Sequence, residues 1–144
     1  MKISKTRDVK TPTRGTPKSA GIDFYVPNDY EQITVQPSSA CRIESGIRVE
    51  VPTGYALIAF NKSGIALSGL QVGACVVDED YQGVVNLHLF NVSSSPIDIK
   101  PGQKLTQFIL LPVNYAEVEL VNNEDIHKVE TQRGTGAFSS TGLY

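Results

Sequence analysis

The sequence predicts an all-β fold, a jelly-roll β-sandwich or barrel, followed by a flexible C-terminal tail. Three observations support this prediction. Short segments alternate apolar and polar residues, and turn signals rich in Pro, Gly, Ser and Asn separate them at intervals of roughly 8 to 12 residues. No helical period persists beyond a short stretch.

The size and charge of the chain bound what it can be. Its 144 residues, 40% hydrophobic and 19% charged, suit one globular domain with a core of its own, which we place at residues 1–131, with the tail at residues 132–144. A formal net charge of −2 gives no general attraction for nucleic acid or an anionic membrane. The longest apolar run, Phe108 to Leu111, is too short to span a bilayer. We therefore expect a protein that binds neither nucleic acid nor membrane.

The two cysteines point to a reducing compartment. Cys41 and Cys75 are far apart in sequence and have no C-x-x-C spacing, so they do not form the disulfide framework of a secreted domain. The first residues include lysines but no apolar signal-peptide core. We expect a cytoplasmic protein with free thiols.

Local patterns define the individual elements. Ile3 predicts an edge strand whose neighbouring lysines protect the edge, although the basic residues of 1–18 could also form a nucleic-acid arm. Residues 47–51 and 117–120 alternate apolar and charged side chains, which predicts two half-buried strands. Ser63 to Leu67 is the one short helical candidate.

The sharpest local feature is the acidic segment from Asp78 to Gly83. Val76-Val77 precedes it and Val84 to Phe90 follows it, which predicts a β-hairpin with acids at its mouth. A solvated acidic turn explains the same pattern. Asp78, however, directly follows a strand end, where partial burial would suit a carboxylate to act as a general base.

The C-terminal segment Gln132 to Tyr144 is rich in Gly, Ser and Thr, with Phe138 as its main apolar residue. Such a segment cannot pack a core of its own. Arg133, the glycines and the hydroxyls together are the groups that bind a polyphosphate, through backbone N–H donors and a bidentate cation. A disordered tail is equally compatible with this composition. The segment is not a Walker loop, because no G-K-[ST] occurs.

Smaller polar groups accompany other strands. Lys62-Ser63-Gly64 and the segment Gly102 to Gln107 are cationic clusters, each of which would alone read as a turn. His88 and His127 stand alone, and no grouping has the spacing of metal ligands, so direct metal ligation is not expected. His88 alternates with leucines, which predicts a position on a strand surface.

Taken in order, these clusters resemble the five motifs of the trimeric dUTPase family. The resemblance runs from Pro12 to Gly142, nearly the whole chain. The motifs are SAGID at 19–23, KSGIA at 62–66, VGACVVDEDYQG at 72–83, GQKLTQ at 102–107 and RGTGAFSSTG at 133–142. Any one of them can arise by chance, whereas five in this order are highly specific.

The resemblance implies hydrolysis of dUTP to dUMP and pyrophosphate by attack of water on the α-phosphorus. This activity limits uracil incorporation into DNA and supplies dUMP for dTMP synthesis. The resemblance also implies a jelly-roll homotrimer with active sites at subunit interfaces, each completed by the C-terminal tail of another subunit. Finally, it implies a Mg²⁺ ion that the triphosphate holds and that the protein touches mainly through water.

Family roles fall on the matching positions. The resemblance implies that Asp78 orients and activates the attacking water, that Asp23 supports the hydrated magnesium ion, and that Tyr81 packs under the deoxyribose. The implied phosphate contacts are Lys62, Ser63 and Gln107, with Gly64 beside them. The third motif, with Val72, Gly73, Val76 and Val77, offers main-chain groups to uracil, and Phe138 stacks on the base. The implied contacts of the tail with the γ-phosphate are Arg133, Ser140 and Thr141, with Ser139 beside them.

Departures from the family pattern and two other functions remain open at this point. Lys62 stands where the family usually has Arg, so a bidentate fork becomes a point charge, and Cys75 stands where Gly is usual. A dCTP deaminase-like relative would need a catalytic Glu in the pocket and a different C-terminal end, which the tail with Phe138 does not match. A regulatory binding protein that kept the nucleotide site would use the same residues.

Overall fold

The computed structural model describes residues 1–137 and Ser140, and its contacts divide the chain into two compact units, Met1–Asn114 and Tyr115–Tyr144. Every helix and strand of the described residues lies in the first unit. In chain order they are β1 (Lys2–Lys5), β2 (Thr13–Arg14), β3 (Ile22–Tyr25), β4 (Ile33–Val35), β5 (Ala40–Glu50), β6 (Tyr55–Asn61), α1 (Ser63–Leu67), β7 (Leu70–Val72), β8 (Val76–Val77), β9 (Val84–Asn91), β10 (Ile97–Ile99) and β11 (Lys104–Pro112).

The strands form two main sheets and one small sheet. The first main sheet has the order β1-β5-β9-β7, the second has the order β2-β3-β11-β6-β8, and β10 pairs with β4. All of these pairs are antiparallel. Side chains from both main sheets belong to one hydrophobic cluster, so the sheets pack as a sandwich. The prediction of an all-β sandwich is confirmed.

The core between the sheets is apolar and tightly closed. Ile43 and Leu87 from the first sheet and Leu57, Phe24 and Phe108 from the second are each at most 1% exposed. The Phe24 and Phe108 ring centroids lie 4.5 Å apart with a tilt of 49°. Burying a side chain of this size stabilises the fold by about 1.5–3 kcal/mol. The sandwich therefore gives the polar residues at its strand ends a rigid support.

Several local predictions agree with the structure. In β5, Ile47 and Val49 are buried and Arg48 is exposed, as the alternation predicted. Strand β1, which contains Ile3, lies at the edge of the first sheet. The helix α1 has the predicted bounds. No helix within residues 1–137 is long and apolar enough to cross a membrane.

The predicted β-hairpin around the acidic segment is wrong. Strand β8 pairs with β6 in the second sheet, whereas β9 pairs with β5 and β7 in the first. Val77 and Val85, on either side of the segment, are both buried in the common core. The segment from Asp78 to Gly83 therefore crosses from one sheet to the other, because burying both strands against one core outweighs pairing them with each other.

The strand predicted at residues 117–120 is also wrong. No strand is assigned to the described residues after Pro112, and the side chains of Val118 and Leu120 are 100% and 98% exposed. Alternation suits a strand only when a neighbouring strand accepts its backbone hydrogen bonds. The described residues of the second unit contain no strand that could do so.

Candidate active site

Asp23 joins two lysines in a cluster on the second sheet. The side chain of Asp23 is 7% exposed, with Oδ1 2.5 Å from the Lys62 Nζ and Oδ2 3.0 Å from the Lys104 Nζ. Asp23 lies on β3, Lys62 directly follows β6, and Lys104 begins β11. Because β11 pairs with both β3 and β6, the sheet brings the three side chains together. We call these residues the lysine–aspartate cluster.

The charges of this cluster reinforce one another. Burial of the carboxyl group opposes its ionisation, but hydrogen bonds from Lys62 and Lys104 and their charges outweigh that effect and hold the pKa of Asp23 below its ordinary value of 3.8. The same hydrogen bond and the charge of Asp23 raise the pKa of Lys104. Two ammonium groups against one carboxylate leave a net positive charge, which suits the binding of a phosphate.

Gln107 lies next to this cluster. It is the cross-strand partner of Asp23 in the β3–β11 pair, and its Nε2 donates a hydrogen bond of 2.8 Å to the carbonyl oxygen of Asn61. A Cβ atom on Gly21 would lie only 2.1 Å from Gln107 Oε1, so a side chain at position 21 would displace the amide. Ser63 and Gly64, which begin α1, follow Lys62 directly and are exposed. The predicted phosphate contacts of the second and fourth motifs thus occupy one region.

A cavity of about 240 Å³ lies beside β8 and collects most of the third motif. Its lining includes Cys75, Val76, Val77, Asp78, Tyr81 and Asn86. Asp78 is exposed at the end of β8. The Tyr81 hydroxyl donates a hydrogen bond of 3.0 Å to the carbonyl oxygen of Val84, which fixes the ring beside the cavity. We call this the β8 cavity.

Two predicted base contacts lie just outside the lining of this cavity. Val72 ends β7 opposite Leu89 of β9, and the Gly73 amide donates a hydrogen bond of 2.8 Å to the carbonyl oxygen of His88. Val72 and Gly73 thus anchor, on the first sheet, the segment that leads to β8. His88 is on the strand surface, as its alternation with leucines predicted.

The second unit carries the predicted tail contacts that the structure describes. The side chain of Arg133 is exposed, and its Nε donates a hydrogen bond of 3.0 Å to the carbonyl oxygen of Gly136. Ser140 is exposed, with its amide bonded to the carbonyl oxygen of Ala137. Phe138, Ser139 and Thr141 lie outside the described residues.

Comparison with known proteins assigns the chain to a family. The dUTPase family model matches residues 7–142. The chain belongs to the dUTPase family.

Relatives and solved structures agree with this membership. A mouse protein named deoxyuridine 5'-triphosphate nucleotidohydrolase is 37% identical over 133 residues, which cover 91% of this chain and 77% of the relative. A protein of the same name from Desulfitobacterium hafniense is 34% identical over 145 residues, covering 98% of this chain and 93% of the relative. The structure of the Staphylococcus bacteriophage 80alpha dUTPase with dUPNHPP is similar with a TM-score of 0.85 at 18% identity, covering 99% of this chain and 98% of that one. This dUTPase-family chain therefore shares its fold with an enzyme from a bacteriophage.

Two residues of the candidate site were not predicted from the sequence. Lys104 belongs to the fourth motif, and a cation that follows the Gly102 turn is a signal for an anion site, but the motif did not predict its ion pair with Asp23. No motif predicted Asn86. It lines the β8 cavity, its Nδ2 donates to the carbonyl oxygen of Val84, and its buried Oδ1 accepts no hydrogen bond from the described residues. An amide among the apolar residues at the start of β9 was its signal.

We expect the lysine–aspartate cluster to make stability depend on pH in acid. Because the pKa of Asp23 is lowered in the folded chain, its stabilisation is fully present above the unfolded value of about 3.8 and is lost as the pH falls through the lower folded value. Asp23→Asn should therefore be less stable at neutral pH, and its urea midpoint should fall less than that of the wild type from about pH 5 to about pH 3. The exposed Asp8→Asn is the matched control. If the urea midpoint of Asp23→Asn fell with decreasing pH as steeply as that of the wild type, this account would be contradicted.

Proposed function

We propose that this chain hydrolyses dUTP to dUMP and pyrophosphate by attack of water on the α-phosphorus. The observation that carries the proposal is the position of Asp78, exposed at the end of β8 and lining the β8 cavity together with Tyr81, in a chain of the dUTPase family. An exposed carboxylate at a cavity mouth can accept the proton of a water molecule held against a bound nucleotide. The activity would limit uracil incorporation into DNA and supply dUMP for dTMP synthesis.

The base would bind along β8. This strand ends the second sheet, so its outer edge pairs with no strand of the described residues and offers backbone N–H and C=O groups. Uracil presents a donor between two acceptors, which such an edge can pair as it would pair another strand. Cytosine has an amine where uracil has an oxygen, so buried groups would remain unpaired and dCTP would be rejected. We assign base contacts to Val76 and Val77, with Val72 and Gly73 next to them and Phe138 stacking on the ring.

The phosphates would bind at the lysine–aspartate cluster. Its two ammonium groups, the Gln107 amide and the Ser63 hydroxyl are the cations and donors that a loose phosphoryl-transfer transition state requires. The space beside Gly64 at the start of α1 is open, since even a Cβ there would meet no atom of the described residues within 4 Å. We assign the γ-phosphate to the tail, with Arg133 as the bidentate cation and Ser139, Ser140 and Thr141 as hydroxyl donors.

The described residues fit a magnesium ion that the triphosphate holds rather than one bound directly. No three of their His, Cys, Asp and Glu side chains group as metal ligands. The Asp23 carboxylate uses one lone pair of each oxygen for a lysine, and its remaining lone pairs can accept hydrogen bonds from metal-bound water. Mg²⁺ commonly keeps several waters and binds substrate phosphates. When bound, the ion would neutralise charge on the phosphate oxygens.

We also propose that the active enzyme is a homotrimer whose sites are completed by a second subunit. Within one chain, none of the residues that line the β8 cavity belongs to the lysine–aspartate cluster. The first unit exposes large apolar side chains, among them Phe60, Leu67 and Val92, as a subunit interface would. In this assembly residues 1–131 provide the folded domain, and residues 132–144 provide the lid that closes over a bound nucleotide.

The cytoplasm is the compartment that we propose. Cys41 and Cys75 are both free thiols in the structure, which fits a reducing environment. Nucleic acid and membrane are not proposed as partners, because the net charge of −2 favours neither.

The deaminase alternative is not favoured. A dCTP deaminase needs a catalytic glutamate in its pocket, and no glutamate lines the β8 cavity in the described part of the chain. The nearby Glu79 instead accepts a hydrogen bond from the amide of Gly54.

A substrate panel tests the function and the role of Tyr81. Pyrophosphate release with Mg²⁺ should be fast for dUTP and slow for dCTP, dTTP and UTP. A ring packed on the deoxyribose leaves no room for a 2′-hydroxyl, so Tyr81→Ala should narrow the preference for dUTP over UTP by about tenfold or more. Tyr55→Ala, which removes an exposed tyrosine outside the cavity, is the control. Deamination of dCTP would overturn the proposed function, and an unchanged dUTP to UTP ratio in Tyr81→Ala would remove that residue as the sugar filter.

A further inference from the structure

The short segment Gly73–Cys75 carries the chain from the first sheet to the second, and we call it the crossing segment. On its first side, the pairing of β7 with β9 ends at Val72, and one further hydrogen bond of 2.8 Å joins the Gly73 amide to the carbonyl oxygen of His88. On its second side, the Ala59 amide donates a hydrogen bond of 2.8 Å to the carbonyl oxygen of Cys75. The backbone amide of Ala74 lies between these two hydrogen bonds and takes part in the strand pairing of neither sheet.

The side chain of His88 binds that amide. Its Nδ1 accepts a hydrogen bond of 2.9 Å from the Ala74 N–H. In this contact Nδ1 is the acceptor, so the ring hydrogen is on Nε2. Ala74 is exposed, and without this contact its N–H would face water.

The imidazole ring is seated firmly against the crossing segment. It meets the ring of Phe90 edge to face, with centroids 4.9 Å apart. A Cβ atom on Gly73 would lie 2.3 Å from His88 Nδ1 and 2.7 Å from a carbon of the Phe90 ring. Only glycine allows this approach, so Gly73 and His88 together determine where the crossing segment leaves the first sheet.

We propose that His88 is a positioning residue for base recognition. It holds Ala74, and Ala74, Cys75 and Val76 line the β8 cavity up to Asp78. His88 itself does not line the cavity, so it acts through the backbone that it fixes. This inference rests on the proposed function, in which the β8 cavity receives the base.

Three substitutions separate the hydrogen bond from the bulk of the ring. His88→Asn places a carbonyl oxygen near the position of Nδ1 and keeps the acceptor, whereas His88→Leu fills the space without one. His88→Gln has an acceptor one carbon further out, too far to serve Ala74 in the same way. Arg42→Gln is the matched control, because Arg42 is the exposed cross-strand partner of His88 on β5.

The expected result is a loss of binding without a loss of chemistry. Removal of one hydrogen bond that orders the binding segment should raise the KM for dUTP by about three- to tenfold in His88→Leu and His88→Gln. The value of kcat should remain within about twofold, because ground-state and transition-state binding weaken together. Binding of dUMP, measured by calorimetry, should weaken by the same factor, while inhibition by pyrophosphate should not change. His88→Asn and Arg42→Gln should resemble the wild type.

The outcomes distinguish this inference from the function on which it rests. If the wild-type chain did not hydrolyse dUTP, the proposed function would be wrong. An active wild type with an unchanged KM in both His88→Leu and His88→Gln would overturn the positioning role. An equal rise in the KM for dUTP in His88→Asn and His88→Leu would show that the ring only stabilises the fold. A parallel weakening of inhibition by pyrophosphate would show the same. Either result would overturn the positioning role. If His88→Leu does not fold, the comparison of His88→Gln with His88→Asn decides the question.

Discussion

Asp78→Asn should lower the kcat for dUTP hydrolysis by at least about 100-fold, because a positioned general base contributes roughly 10²–10⁴ to such a step. The amide keeps the shape of the carboxylate but cannot accept a proton from the attacking water. Asp78 is exposed at the β8 cavity, so the substitution leaves the core unchanged. The dissociation constant of a non-hydrolysable dUTP analogue, measured by calorimetry, should stay within a few-fold of the wild-type value.

Asp80→Asn is the matched control for that substitution. Asp80 is an exposed aspartate two positions further along the same segment, and it does not line the β8 cavity. Its removal should leave kcat nearly unchanged. Wild-type turnover by Asp78→Asn, or an equal loss in both variants, would exclude Asp78 as the base.

A chain that ends at Thr131 should fold and assemble normally, and yet lose about 100-fold or more in kcat/KM. The strands and the helix of the described residues all lie within Met1–Asn114, so the truncation removes none of them. It removes the charge-assisted contact proposed for Arg133 and the aromatic contact proposed for Phe138, each worth about 1–3 kcal/mol. The two losses together correspond to roughly one and a half to four powers of ten. Light scattering and a urea titration would check assembly and stability beside the kinetics.

Co-expression of this truncated chain with Asp78→Asn tests whether the sites are shared. One chain supplies Asp78 and the other supplies the tail, so mixed trimers should recover part of the turnover that neither chain has alone. Recovery requires that a tail completes a site containing Asp78 of another subunit. Full activity of the truncated chain would contradict the proposal that the tail is a lid. Inactive mixed trimers would show that the tail and Asp78 of one site come from the same subunit.

Local sequence patterns suffice for some elements of this fold and fail for others. The alternation in β5 predicted its buried and exposed side chains correctly, because periodicity records directly which side chains face a core. The short helix α1 was predicted with its correct bounds. The acidic segment was recognised from its residues, but its strands were assigned to one hairpin. Which partner a two-residue strand chooses depends on the core that it shares. Val77 and Val85 belong to the same core cluster, although their strands lie in different sheets.

Residues 117–120 show the opposite case. Their alternation is as regular as that of β5, yet Val118 and Leu120 are almost fully exposed. A strand needs a partner for its backbone hydrogen bonds, and a pattern of side chains does not supply one.

The sequence by itself determined the fold class, the family resemblance and the identity of the chemical groups, because residue types and their order carry these directly. Only the tertiary structure decided how those groups are arranged. Asp23, Lys62 and Lys104 lie far apart in sequence. The pairing of β11 with both β3 and β6 brings each lysine to one oxygen of the Asp23 carboxylate. The crossing between the sheets places His88 against Ala74. Such contacts depend on strand register, and register is set by the burial of the whole core rather than by any local segment.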